Sequence, residues 1–130
     1  MPDTQTKEIF AFDQPCPIRD VLDRISDRWS TLVLFVLEER GTLRFSALKV
    51  EIEDISQRML AQTLRRLEQD GLVSRTVYPT SPPRVDYALT PLGTSFLEPM
   101  HGLVRWADAH HAKVRAARSA YVAPAAIEAQ

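Results

Sequence analysis

The sequence predicts a mainly α-helical fold carrying one small β-hairpin, an α+β chain, and three observations carry that prediction. Apolar residues recur at helical spacing through residues 55–72, with a cap written at each end. Two β-rich runs, Val73–Tyr78 and Arg84–Leu89, follow directly and are joined by Pro79-Thr80-Ser81-Pro82-Pro83. Thr90-Pro91 then opens another long amphipathic segment, with a capping residue followed by proline at the first helical position.

Composition bounds the rest. A chain of 130 residues, 45 % hydrophobic and 25 % charged, is expected to form one domain whose core needs no metal or disulfide staple. The net charge of −1 excludes a global basic field, so any case for nucleic acid must rest on where arginines are placed. The longest apolar run, residues 32–37, is too short to span a bilayer, and no membrane partner is expected. The N-terminus carries acids and no apolar secretory core, and the single cysteine cannot close an internal disulfide. The cytoplasm is the expected compartment.

Taken in order, residues 1–15 read as a flexible polar arm, with Ile9, Phe10 and Phe12 as docking residues. Residues 16–118 read as the folded domain. Pro15-Cys16-Pro17 opens a helix whose apolar side is Val21, Leu22 and Ile25. Ser26 or Asp27 is placed to cap the next helix, which is apolar nearly all round through residues 29–37 and stops at Gly41. Leu43-Arg44-Phe45 is a short extended link into a small helix, expected to be capped by Ser46 and stapled by Phe45 and Val50. An acidic loop, residues 51–54, leads to the helix at 55–72.

That helix has a written start and stop. Ser56 is placed as its N-cap, with Ile55 and Leu60 as a staple. Gly71 supplies the left-handed residue after the last turn, and Leu72 folds back on Leu67. Leu60, Leu64 and Leu67 form the apolar stripe, while Arg58, Gln62, Arg65 and Gln69 point away from it beside Ala61, with no acid among them. The forked groups of Arg and Gln pair bidentately with guanine and adenine edges. Both residues are also ordinary helix formers on a solvated face, so their context has to decide. A short helix, a turn and a longer polar-faced helix make a helix-turn-helix, and the proline-tipped hairpin that follows stands where a wing belongs.

In the last helix Phe96, Leu97, Met100, Leu103, Val104 and Ala107 make an apolar stripe with Trp106 at its edge, and Pro99 is expected to kink the helix without ending it. Nothing in the remaining core is left to cover that stripe, so a second copy is the natural cover. The expected homodimer uses this helix and the one after Cys16, through Val21, Phe96, Leu97, Met100, Leu103, Val104 and Trp106. Residues 119–130 have no periodic apolar face and read as a flexible tail.

Several short pieces stand in order and at compatible spacing: Cys16-Pro17, Arg28-Trp29, Arg44-Phe45, Ile55-Ser56-Gln57-Arg58-Met59-Leu60 and Leu64-Arg65-Arg66-Leu67-Glu68. Asp70-Gly71-Leu72-Val73, Pro82-Pro83-Arg84-Val85-Asp86-Tyr87, Leu89-Thr90 and Trp106 continue the series. With these the chain resembles the HxlR family of bacterial winged helix-turn-helix regulators, a branch near the MarR regulators, over residues 16–107. It departs at Asp27, where glycine is expected before the basic–Trp pair, and at Ala61, where threonine is common. The resemblance implies a homodimer on a palindromic operator of double-stranded DNA, acting as a repressor without a cofactor. It assigns base reading to Gln57, Arg58, Gln62 and Arg65, and phosphate contact to Ser56, Arg44, Arg75 and wing Arg84. An ion pair of Arg75 with Asp86 across the hairpin stands as the alternative.

Cys16 precedes a helix, where the dipole favours a thiolate, and Arg19 lies one turn along. In relatives that sense quinones, hypochlorite or thiol-reactive aldehydes, the cysteine at this place is the sensor. The resemblance therefore implies an oxidant or electrophile as effector, acting through a Cys16–Cys16 disulfide between subunits, S-thiolation or an adduct. The alternative is an inert, small apolar residue. His101, His110 and His111 have no carboxylate or thiol companions at metal spacing, so no metal is expected. No nucleophile–base set or glycine-rich phosphate loop occurs, so no enzyme is expected either. Two other functions stay open: a ligand-responsive or unresponsive regulator, and a winged-helix dimerisation or adaptor module without DNA binding. The acid-free Arg58/Gln62/Arg65 face argues against the last.

Overall fold

Caps supplied by neighbouring residues set where the helices start and stop, and a computed structural model, which describes residues 17–25 and 27–125, has them in place. Helix α1 (Pro17–Ile25) opens on a proline, whose missing N–H is no loss at a first helical position. Helix α2 (Arg28–Arg40) is capped by Asp27, whose Oδ1 accepts from the Ser30 amide at 2.7 Å. At its other end Gly41 takes a φ of 81° and donates to the Leu37 carbonyl at 2.9 Å. Strand β1 (Leu43–Arg44), helix α3 (Phe45–Glu51), helix α4 (Gln57–Gln69), strands β2 (Val73–Tyr78) and β3 (Arg84–Leu89) and helix α5 (Pro91–Ala120) follow.

The core gathers Val33, Leu34 and Leu37 of α2, Leu48 of α3, and Leu60, Leu64 and Leu67 of α4, all buried. Each such side chain stabilises the fold by roughly 1.5–3 kcal/mol over leaving it in water. As expected from its all-round apolar character, α2 is central: it packs against α3, α4 and β3.

Two local expectations fail at α3. The helix begins at Phe45 with Arg44 as its extended N-cap and no side-chain cap bond, so Ser46 sits inside the first turn. Val50 is 72 % exposed and staples nothing. The reason is tertiary. Leu43 and Arg44 form a third antiparallel strand, opposite Tyr87 and Asp86, which fixes the extended backbone up to Arg44.

The sheet order is β1-β3-β2, so β3 is the central strand. Its alternation puts Val85, Tyr87 and Leu89 on one face, yet Asp86 on the other is its most buried residue. Strand β2, at the edge, is exposed from Ser74 onward.

The start of α5 is tied to the end of α4. The Thr90 hydroxyl accepts from the Gly93 amide at 3.0 Å and donates to the Gly71 carbonyl at 2.6 Å. Gly93 is buried, and a Cβ there would fall on the Leu72 carbonyl oxygen, 3.3 Å from a Leu89 methyl. Leu97 is also fully buried within its own protomer, which removes it from the surface expected to meet a second copy. Leu97 closes the packed unit. Glu98–Gln130 forms a second unit in which α5 continues, with Pro99 inside it, to Ala120. The helix thus outlasts the expected boundary at residue 118 by two residues, and residues 121–125 have no regular structure. The arm at residues 1–15 and Cys16 lie outside the described residues.

Candidate nucleic-acid interface

Helix α4 is held at both ends as its sequence requires. The Ser56 hydroxyl accepts from the Met59 amide at 3.0 Å. At the far end Gly71 adopts a φ of 77°, its amide donates to the Glu68 carbonyl, and Leu72 donates to the Leu67 carbonyl, both at 3.0 Å. This is the two-bond Schellman closure. With Leu60, Leu64 and Leu67 turned inward, the opposite face is presented outward. Arg58 and Arg65 are exposed, Gln62 is half-buried, and all three line one shallow depression with Ala61. Gln57 is exposed in the first turn. Gln69 is not part of this face in the way its spacing suggested: its Oε1 accepts from Arg24 of α1 at 3.2 Å.

The hairpin stands beside that face. Arg65 and Arg75 share a second depression with Ala61, Glu68 and Tyr87. The acid-free surface therefore covers Arg58, Ala61, Gln62 and Arg65, while Glu68 lies at its border with the hairpin. The Arg75–Asp86 ion pair is not formed. Asp86 is in register with Thr76, so Arg75 points to the other face of the sheet, opposite Tyr87. Asp86 is held instead by Arg84, two residues away on the same strand and the same face. Nε donates to Oδ1 at 2.9 Å and Nη2 to Oδ2 at 3.0 Å. These bonds, with further help from Arg44, keep the Asp86 carboxyl below the usual carboxylate range, and Asp86 in turn raises the Arg84 guanidinium above its ordinary value. Arg44 and Arg84 both line a third depression, between the start of α3 and the hairpin tip.

Charge pairing divides the arginines into two groups. Arg24 donates from Nε to both carboxylate oxygens of Asp70, at 2.8 and 2.9 Å. Arg28 meets Asp54 at 2.9 Å, Arg40 meets Glu51 at 3.5 Å, and Arg66 reaches Asp27 at 4.0 Å. Arg58, Arg65 and Arg75 have no ion-pair or side-chain hydrogen-bond partner among the described residues. Unpaired positive charge thus outweighs negative on one continuous surface, three arginines against Glu68, in a chain whose net charge is −1. The Arg24–Asp70 pair had no signal in the sequence, because its partners are 46 residues apart.

Of the residues expected to meet a second copy, Val21, Leu103, Val104 and Trp106 are exposed, Met100 is half-buried, and half-buried Phe96 walls a cleft of the packed unit. Trp106 stacks on His110 with ring centroids 4.7 Å apart. Among the described residues no three His, Cys, Asp or Glu gather as metal ligands, and no helix is long and apolar enough to cross a membrane.

A short helix, a turn, a longer helix with its polar face outward and a hairpin beside it define a winged helix-turn-helix protein. The chain belongs to the HxlR-like helix-turn-helix family, whose model matches residues 24–115, and is a helix-turn-helix transcriptional regulator of that type. It is 45 % identical over 114 residues to the uncharacterized HTH-type transcriptional regulator YtfH of Escherichia coli K12, a match spanning 88 % of this chain and 90 % of that protein. Among solved structures it is similar to the putative transcriptional regulator ytfH from Salmonella typhimurium, with TM-score 0.71 and 42 % identity, covering 81 % of this chain and 93 % of that one. It is also similar to the redox regulator HypR in its oxidized form, with TM-score 0.64 and 37 % identity, over 72 % and 96 % of the two chains.

Proposed function

We propose that the protein is a homodimeric repressor that seats α4 of each protomer in the major groove of a palindromic operator. The observation that carries this reading is the uncompensated Arg58/Arg65 face, continuous through Arg65 with Arg75 of the hairpin. Gln57, Arg58, Gln62 and Arg65 read base edges, and Ser56, Arg44, Arg75 and Arg84 contact phosphates. Arg84 does so while bonded to Asp86, which leaves it a fixed rather than a free charge. The second copy covers Val21, Met100, Leu103, Val104 and Trp106, and the two α4 helices then address half-sites about 34–36 Å apart.

Cys16 is the proposed redox switch. Support comes from its place immediately before α1 and from the similarity to the redox regulator HypR. In the simplest step the Cys16 thiols of two protomers give two electrons and two protons to an oxidant such as diamide, and one disulfide forms. A crosslink beside the proposed dimer surface alters the spacing of the two α4 helices and lowers DNA affinity. The test is selection of bound genomic fragments followed by footprinting, with and without diamide, on wild type and Cys16→Ser. A palindromic site should be protected by both proteins, and diamide should weaken only the wild type, by about tenfold or more. Absence of any enriched site would refute the DNA-binding reading. An identical response of the two proteins would refute the switch alone.

A further inference from the structure

One cleft of the packed unit has no part in DNA binding as proposed. It has a volume of about 580 Å3 and is walled by Val21 and Ile25 of α1, Leu72, and Leu92 and Phe96 of α5. That size and lining suit a small organic molecule. Three charged side chains stand on the cleft, Asp20, Arg24 and Asp70.

Two of the three neutralise each other. Arg24 chelates both oxygens of Asp70 and extends a further bond to Gln69. Asp20, one turn before Arg24 on α1, acts on Arg24 through space but has no hydrogen-bond or ion-pair partner among the described residues. The cleft therefore carries one net negative charge, located on Asp20. An anionic guest gains the guanidinium only by breaking its bonds to Asp70 and leaving that carboxylate uncompensated beside an apolar wall. A cationic guest needs no such rearrangement, since the exposed Asp20 carboxylate, which acts on Arg24 through space without a bond to it, is already accessible.

We propose that this cleft binds an organic cation with a bulky apolar body, the positive charge beside Asp20 and the body against Leu92 and Phe96. The apolar walls supply affinity in proportion to the area they cover, and Asp20 selects the sign of charge. Binding here requires the cleft to stay open beside the second copy proposed to cover Val21, and is independent of what α4 binds.

The test uses the purified full chain and two ions of nearly equal size and shape but opposite charge, tetraphenylphosphonium and tetraphenylborate, followed by calorimetry or equilibrium dialysis. Tetraphenylphosphonium should bind at least about tenfold more tightly than tetraphenylborate. Asp20→Asn should remove that preference, and Asp20→Lys should reverse it. Asp23→Asn, the same change of charge on α1 but away from the cleft, should leave it intact. Both Asp20 and Asp23 are exposed, and thermal unfolding checks that each variant is folded. Leu92→Trp, which fills the cleft, should weaken both ions. Equal affinity for the two ions overturns the proposal, as does a preference that survives Asp20→Lys. So does failure of both ions to bind, the outcome expected if a second copy occupies the cleft through Val21 and Phe96.

Discussion

Helices α4 and α5 each leave one face uncovered, and the two faces are opposite in character. In α4 the apolar stripe is spent inside the protomer, and what remains outside is Arg58, Gln62 and Arg65 without a counter-charge. In α5 the order is reversed beyond Glu98: Leu103 is 57 % exposed and Trp106 54 %. Water solvates the first face readily, whereas exposed apolar area costs about 25 cal/mol per Å2 relative to being covered. The first face is complete as it stands and attracts a polyanion; the second gains by meeting another apolar surface. What each helix leaves uncompensated, rather than what it buries, separates the proposed DNA side from the proposed partner side.

The largest effect that sharpens this contrast is on assembly. Wild type should sediment as a dimer at micromolar concentration. Leu103→Asp should be monomeric with unchanged far-UV circular dichroism, because an unpaired charge buried at the contact costs on the order of 3–5 kcal/mol. Retention of the dimer by this variant breaks the assignment of that face. The other end of the same helix should behave differently. Gly93→Ala forces a methyl group onto the Leu72 carbonyl and should lower unfolding stability by about 1–3 kcal/mol or more in denaturant titrations. It tests the packed end of α5 and leaves the outer stripe untouched.

A smaller effect concerns the hairpin. Arg75→Ala should weaken binding about equally across DNA sequences and lower the slope of log K against log salt by about 1, the signature of one lost phosphate contact. The smallest concerns pH. The folded-state pKa of Asp86 is depressed by Arg84, so the pair stabilises the fold above the ordinary carboxylate range. That contribution is lost as pH falls from this range toward the depressed value. Asp86→Asn should remove it, making the acid limb of the stability curve shallower, as read from thermal midpoints between neutral pH and pH ~2.

The parts of this architecture that were legible in the sequence are those governed by neighbours along the chain. Ser56, Gly71 and Thr90-Pro91 each cap a helix through groups three to five residues apart, and all three do so in the structure. The leucine stripe of α4 fixed its outward face for the same reason. Failures occur where distant residues intervene. Ser46 lost its capping role because Arg44 pairs with a strand more than forty residues on. Arg75 lost Asp86 because a register of one residue decides which face a side chain takes. Leu97 and Phe96 share the periodicity of Leu103 and Val104, and periodicity alone gives no sign that the protomer's own core ends between them. Gly93 gave no signal either, since its need for a missing side chain arises from the Leu72 backbone.

The most direct test of the α4 assignment compares arginines of the two kinds on the selected operator. Fluorescence anisotropy would follow binding of Arg58→Ala, Arg65→Ala and Arg40→Ala proteins. Each removes one positive charge from an exposed site, but Arg40 is paired with Glu51 and lies off the α4 face. Arg58→Ala and Arg65→Ala should each cost about 1–3 kcal/mol of specific binding and relax base choice. Arg40→Ala should bind like wild type within about twofold, since it removes only an exposed ion pair. If all three substitutions cost the same, or if Arg58→Ala and Arg65→Ala bind like wild type, α4 is not the reading helix.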